Sequence, residues 1–107
     1  MSSSLVKGKL KASRDAIQAK DWEKAVEEAK QALEYEADNY NAQVFRGLAL
    51  LHLKRYDESE EAYKAAIKAQ PSQLLAWQGL EKFYTERKSW DKLAEILQII
   101  MNLALET

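Results

Sequence analysis

Residues 54–71, Lys54-Arg55-Tyr56-Asp57-Glu58-Ser59-Glu60-Glu61-Ala62-Tyr63-Lys64-Ala65-Ala66-Ile67-Lys68-Ala69-Gln70-Pro71, carry the reading that decides the fold. Tyr56, Ser59, Ala62, Tyr63, Ala66 and Ile67 recur at steps of three and four, which is one face of a helix. Pro71 ends that helix, because proline has no amide hydrogen to offer the ladder. The stretch then returns on both sides at a constant step of 34 residues. Tyr56 answers to Trp22 and Trp90, Ser59 to Ala25 and Leu93, and Ala66 to Ala32 and Ile100. Ile67 answers to Leu33 and Met101, and Lys54 to Lys20 and Lys88. A fixed period of this length marks stacked helix–turn–helix units, none of which can bury its apolar face alone.

The rest of the chain fills the frame. Residues 1–20 read as a first helix, with Ser4 able to cap it and a loose stripe of Leu5, Val6, Leu10, Ala12, Ala16 and Ile17. Asp21 is placed to cap a second helix, whose stripe is Trp22, Ala25, Val26, Ala29, Ala32 and Leu33. Lys24–Glu28 and Lys30–Glu34 lie four apart on its other face and can pair weakly. Asp38 and Asn39 break the pattern and open a third helix that is apolar on more than one side, as suits a helix packed between neighbours. The fourth is expected over 56–69. Ser72 and Ser89 are placed to cap a fifth and a sixth, the sixth beginning at Trp90.

Composition narrows the class. The chain has 107 residues, room for one domain, and 47% of them are hydrophobic, enough for a core. Formal net charge is -1, against the basic surface that nonspecific nucleic-acid binding needs. Cysteine is absent, which removes disulfides, zinc–thiolate sites and thiol chemistry. Three Gly and one Pro leave few breakers in long helices. The Met1-Ser2-Ser3-Ser4 start lacks a signal peptide's apolar core, and no run of about 18 apolar residues suggests a membrane span. The expected location is cytoplasmic, with the nucleus open.

Gly47, Ser59, Tyr63, Ala66 and Pro71 hold the small, small, aromatic, small and proline positions of a known motif, so the middle unit resembles a tetratricopeptide repeat (TPR). Trp77, Leu80 and Tyr84 match the front half in the third unit. Its back half carries the larger Leu93, Leu97 and Ile100. The first unit keeps Ser13, Ala25, Ala29 and Ala32 but has Lys9 at a usually apolar place, and the middle unit has Gln43 and Arg46 at two more. The resemblance implies an all-α, right-handed α-solenoid of three TPR helix–turn–helix repeats, six antiparallel helices in one domain over 1–107. The repeats would span about 6–39, 40–73 and 74–107.

A narrower resemblance rests on Asn39-Tyr40-Asn41-Ala42, Ala62-Tyr63-Lys64-Ala65-Ala66, Leu74-Leu75-Ala76-Trp77-Gln78-Gly79-Leu80 and the Ser-rich start followed by Ser13-Arg14-Asp15-Ala16-Ile17. These are similar to the amino-terminal repeats of the TPR scaffold subunit of the superkiller complex. That resemblance implies a long array that holds an RNA helicase and a propeller subunit and serves cytoplasmic 3′-to-5′ RNA decay by the exosome.

No constellation reads as catalytic or cofactor-binding. His52 is the only histidine, too few imidazoles for a metal site. Asp57, Glu58, Glu60 and Glu61 spread around successive helical positions as a solvated face. Ser13, Ser59 and Ser72 lack a His–acid context, and no glycine loop cradles phosphate. Function is therefore expected on surfaces. The first helix of each repeat should line a concave side, with Lys7, Leu10, Arg14 and Ile17, then Asn41, Val44, Leu48, Leu51 and His52, then Leu75, Gln78, Lys82 and Glu86.

Many TPR cochaperones grip a peptide carboxylate at set places in this groove. Here those places carry Leu10, Arg14, Phe45, Leu75 and Gly79, so no clamp is expected and an apolar or mixed segment is the better guest. The sixth helix has more apolar residues than one face can hold. Leu93, Leu97 and Ile100 are expected toward the core, leaving Ile96, Ile99, Leu103 and Leu105 as an apolar interface for a further helix or for self-association. The expected function is a non-catalytic protein–protein scaffold. The alternatives are a stand-alone adaptor binding a peptide in the groove, and an RNA-binding helical repeat suggested by Lys7, Lys9, Lys11 and Arg14.

Overall fold

The computed structural model describes residues 4–106. The Met1–Ser3 part of the expected first helix and Thr107 lie outside the described residues. Six helices follow in order: α1 (Ser4–Gln18), α2 (Trp22–Tyr35), α3 (Tyr40–His52), α4 (Tyr56–Ala69), α5 (Leu74–Glu86) and α6 (Trp90–Leu105). Neighbouring helices pair as hairpins, α1 with α2, α3 with α4 and α5 with α6, and the hairpins stack.

The same turn closes each hairpin. Lys20, Lys54 and Lys88 adopt left-handed backbone, with φ of 60°, 61° and 56°. The next amide then reaches back across the helix end: Asp21 N–H donates to Ala16 O at 2.8 Å, Arg55 to Leu50 at 2.9 Å and Ser89 to Tyr84 at 2.9 Å. This is the helix-ending motif usually built on glycine, here carrying lysine three times.

Asp21 and Asn39 cap as expected, accepting from Lys24 N–H at 3.3 Å and Ala42 N–H at 2.9 Å. The serines do not. Ser4 is the first helical residue, and Ser72 stands two residues before α5, too far to reach its first-turn amides. Ser89 holds the cap position of α6 without a side-chain cap bond. For α5 the acceptor comes from the previous repeat: Ala76 N–H donates to the Tyr40 hydroxyl at 2.9 Å.

Within hairpins, small residues allow close approach. Ser13 Oγ donates to Ala25 O at 2.8 Å, and Ser59 Oγ donates to Gly47 O at 2.7 Å. Positions 13 and 47 are equivalent at the repeat step, as are 25 and 59, so the serine has changed sides of one contact. Glu81 and Leu93 stand at that contact in the third hairpin, where α5 and α6 pack less extensively.

Between repeats, Tyr63 is the wedge. It is buried, with its ring between Gly47 of α3 and Gly79 of α5. A Cβ on Gly47 would lie 2.9 Å from Tyr63 Cδ1, and one on Gly79 would lie closer still to the ring. Lys9, out of place in an apolar position, bridges α1 to α2 through Glu28 at 3.5 Å. Glu28 thus turns to Lys9 rather than to Lys24. Gln43 is less well served: its Oε1 is buried without a hydrogen-bond partner among the described residues.

Candidate protein-interaction surfaces

Which side of the stack is inner follows from its contacts. The first helices of the hairpins touch one another, α1 with α3 and α3 with α5. The backbones of the second helices α2, α4 and α6 do not approach one another, among the described residues. The α1–α3–α5 side is therefore the crowded, inner one, and the other side splays.

On the inner side, Lys7, Arg14, Asn41, His52, Leu75, Gln78, Lys82 and Glu86 are exposed, and Leu10, Ile17 and Leu48 are half-buried. Val44 and Leu51 are not part of this surface. Both are buried in the main core with Tyr40, Tyr63 and Leu80, because α3 is packed on two sides and those positions turn inward. Of the places a carboxylate clamp would use, Arg14 and Leu75 are exposed, Leu10 and Phe45 are half-buried, and Gly79 lies under the Tyr63 ring.

The exposed inner residues mix apolar and charged groups of both signs. His52 sits among Lys82, Glu86 and Lys20. Partial burial pushes its imidazole below the usual value and Lys82 adds to this, while Glu86 opposes. Its ring also lies flat on Trp22, with centroids 3.9 Å apart and planes 6° apart. Trp22, at the head of the α2 stripe, is thus covered by the next repeat.

The splayed side holds a second surface. Between α4 and α6 lies a cleft of about 300 Å³ with Ile67, Trp77, Leu80 and Tyr84 along it and Lys64 and Lys92 beside them. The Tyr84 hydroxyl donates to Glu60 Oε2 at 2.5 Å, and Lys64 pairs with the same oxygen at 3.4 Å. Burial works to raise the Glu60 carboxyl, but these two partners and Lys92 hold it below its usual value.

At the open end, α6 corrects the sequence reading. Ile96 is buried in the core, and Ile99 and Leu103 are half-buried; only Leu105 of the expected set is exposed. Leu97, expected inside, is exposed with Trp90 and Met101, while Leu93 and Ile100 do pack on the core. The repeat step explains this. Leu93, Ile96 and Ile100 are equivalent to Ser59, Ala62 and Ala66, which face the hairpin partner. Trp90, Leu97 and Met101 are equivalent to Tyr56, Tyr63 and Ile67, which face the following repeat. The step assigns these faces only once the structure shows which way Ser59, Ala62 and Tyr63 turn.

Among the described residues, no group of three or more His, Cys, Asp or Glu side chains is placed to hold a metal, and no helix is long and apolar enough to cross a membrane.

Stacked helical hairpins joined by first helices on one side define a helical-repeat interaction scaffold. Residues 10–73 match the tetratricopeptide repeat, and the chain belongs to that family. The match ends just before the third hairpin, which begins at Leu74.

Superkiller protein 3 of Schizosaccharomyces pombe is 41% identical over 102 residues, covering 95% of this chain and 7% of that protein. Superkiller complex protein 3 of Homo sapiens is 42% identical over 106 residues, covering 96% of this chain and 7% of that protein. The chain thus spans about 7% of the length of these relatives. Among solved structures, the TPR2B domain of yeast Sti1, in a complex with pHsp70, superposes with a TM-score of 0.92 at 17% identity, covering 98% of this chain and 84% of that one. The Arabidopsis OM64 TPR domain does so with 0.88 at 17% identity, covering 100% and 88%. These two likenesses establish the fold.

Proposed function

We propose that this chain is a segment of the TPR scaffold subunit of a superkiller-type complex. It serves as a non-catalytic platform on which an RNA helicase and a propeller subunit assemble, in support of cytoplasmic 3′-to-5′ RNA decay by the exosome. One observation carries the reading. Proteins that share only the fold match at 17% identity, whereas the superkiller relatives reach 41% and 42% across nearly the whole chain. The excess points to more than the demands of a helical solenoid.

The inner face suits a protein segment of mixed character. Leu75 offers apolar contact, Arg14 and Lys82 offer cations, and Asn41 and Gln78 offer hydrogen bonds. RNA is expected to reach this platform through the helicase. Charge reversal of Lys7, Lys11 and Arg14 should then leave RNA affinity unchanged.

Affinity purification from cells with mass spectrometry tests the proposal. Recovery of a helicase together with exosome components supports it, and Arg14→Glu with Lys82→Glu should reduce that recovery. Recovery of chaperones alone overturns it in favour of a peptide-binding adaptor.

A further inference from the structure

The cleft on the splayed side is built by three consecutive helices, from Lys64 of α4 to Ile96 of α6. Its floor is α5, where Trp77, Leu80 and Tyr84 stand at steps of three and four on one face. From first to last that row covers about 10 Å of helix rise. Ile67 of α4 and Ile96 of α6 close the sides. The Trp77 indole is tied back, because its Nε1–H donates to Pro71 O at 2.8 Å, and the Tyr84 ring is held by its hydroxyl's bond to Glu60. The floor therefore keeps one shape, with its polar atoms already satisfied.

The gap between α2 and α4 differs in character. One repeat step back, Trp77 and Leu80 become Gln43 and Arg46, and Ile96 becomes Ala62. The fold tolerates a polar floor at this place, so the apolar one is a property of the third hairpin. The charges at the rim are also unequal. Lys64 is paired with Glu60 at 3.4 Å. On the α6 wall, Lys92 lies 5.7 Å over the Tyr84 ring, and Glu95 follows three residues on. Both are exposed, and neither has an ion-pair partner among the described residues. That wall presents an unpaired cation and an unpaired anion one helical turn apart, beside an apolar floor.

We infer that this cleft docks a short amphipathic helix of a partner protein. Apolar side chains of that helix, one turn apart, enter between Ile67 and Ile96 onto Trp77, Leu80 and Tyr84, as a helix lays its apolar face in a groove. Charge complementarity sets the rest: a carboxylate of the partner lies against Lys92 and a cation against Glu95. At about 300 Å³ the cleft admits those side chains and not the whole body of the helix. It is separate from the inner face, so both surfaces can be occupied together. The inference goes beyond the complex named above and is tested on this chain alone, whatever proteins are recovered from cells.

The probe is a blocked, alanine-based helical peptide with leucines along one face and a Glu and a Lys one turn apart beside them. Its twin has those two charges exchanged. Heteronuclear NMR titration of the chain locates the site. The Trp77 indole N–H and the Ile67 and Ile96 amides should shift, while the Arg14 and Gln78 amides on the inner face stay. One peptide should bind about fivefold more tightly than its twin, the scale of two exposed ion pairs. The double variant Lys92→Glu with Glu95→Lys changes only exposed side chains, so circular dichroism should show it folded, and it should reverse the preference. Shifts confined to other faces, or none with either peptide, would overturn the inference. So would equal affinities, or a preference that the double variant keeps.

Discussion

Replacing Gly79 by alanine should change the sign of its effect according to what stands at position 63. In the native chain, a methyl group on Gly79 collides with the Tyr63 ring, which is 2% exposed and held from the other side by Gly47. Such overpacking costs about 1–3 kcal/mol. Against it stands the gain from replacing a mid-helix glycine, about 0.5–1 kcal/mol. Because a ring trapped between two backbones cannot give way, the collision wins, and Gly79→Ala should destabilise by about 1–2 kcal/mol.

Tyr63→Ala alone removes the wedge between repeats and should cost about 3–5 kcal/mol, as large aromatic truncations do in cores. That is a large share of the roughly 5–15 kcal/mol that holds a small domain folded. In the Tyr63→Ala background the collision is gone, so Gly79→Ala should stabilise by about 0.5–1 kcal/mol through helix propensity. The coupling in this double-mutant cycle is therefore expected at about 2 kcal/mol. Urea denaturation followed by circular dichroism measures all four chains. If Gly79→Ala stabilises equally in both backgrounds, the ring does not fill the space over Gly79 and the packing argument is wrong.

Three further outcomes follow from the same geometry. Lys54→Gly should raise stability by about 0.5–1 kcal/mol, since left-handed strain of about 1–2 kcal/mol outweighs the added chain entropy; a thermal melt in which Lys54→Ala gains as much would contradict this. Gln43→Leu should stabilise by about 1 kcal/mol or more by removing the unpartnered Oε1, read as a higher urea midpoint at constant slope.

Burial raises the phenols of Tyr63 and Tyr84 above their ordinary 10.0, with the Glu60 hydrogen bond adding at Tyr84. The folded state therefore holds those protons more tightly than the unfolded chain. The stability they contribute is full below pH 10 and should fall as pH climbs above it. Tyr63→Phe with Tyr84→Phe should flatten a urea-midpoint profile between pH 9 and 11, and an unchanged slope would count against the assignment.

The repeat step, the six helices and their class were legible before any coordinates. Helix periodicity and a 34-residue step are properties of one dimension, and Trp22, Tyr56 and Trp90 do begin α2, α4 and α6. The inner face was legible wherever a residue looks outward regardless of neighbours, as at Arg14, Asn41 and Lys82. It failed at Val44 and Leu51, since α3 is apolar on several sides and the sequence does not say which sides are covered.

What tertiary structure alone decided is which element covers which. Trp22 stacks on His52, Tyr40 caps α5, and Tyr63 lies between two glycines of separate helices. Each contact joins residues brought together by the stacking of hairpins. At α6 the difference is sharpest. The excess of apolar residues was visible in the chain, but their division into Ile96 inside and Leu97 outside depends on the direction in which α5 approaches. That direction is set by packing, and a count of apolar residues carries no information about it.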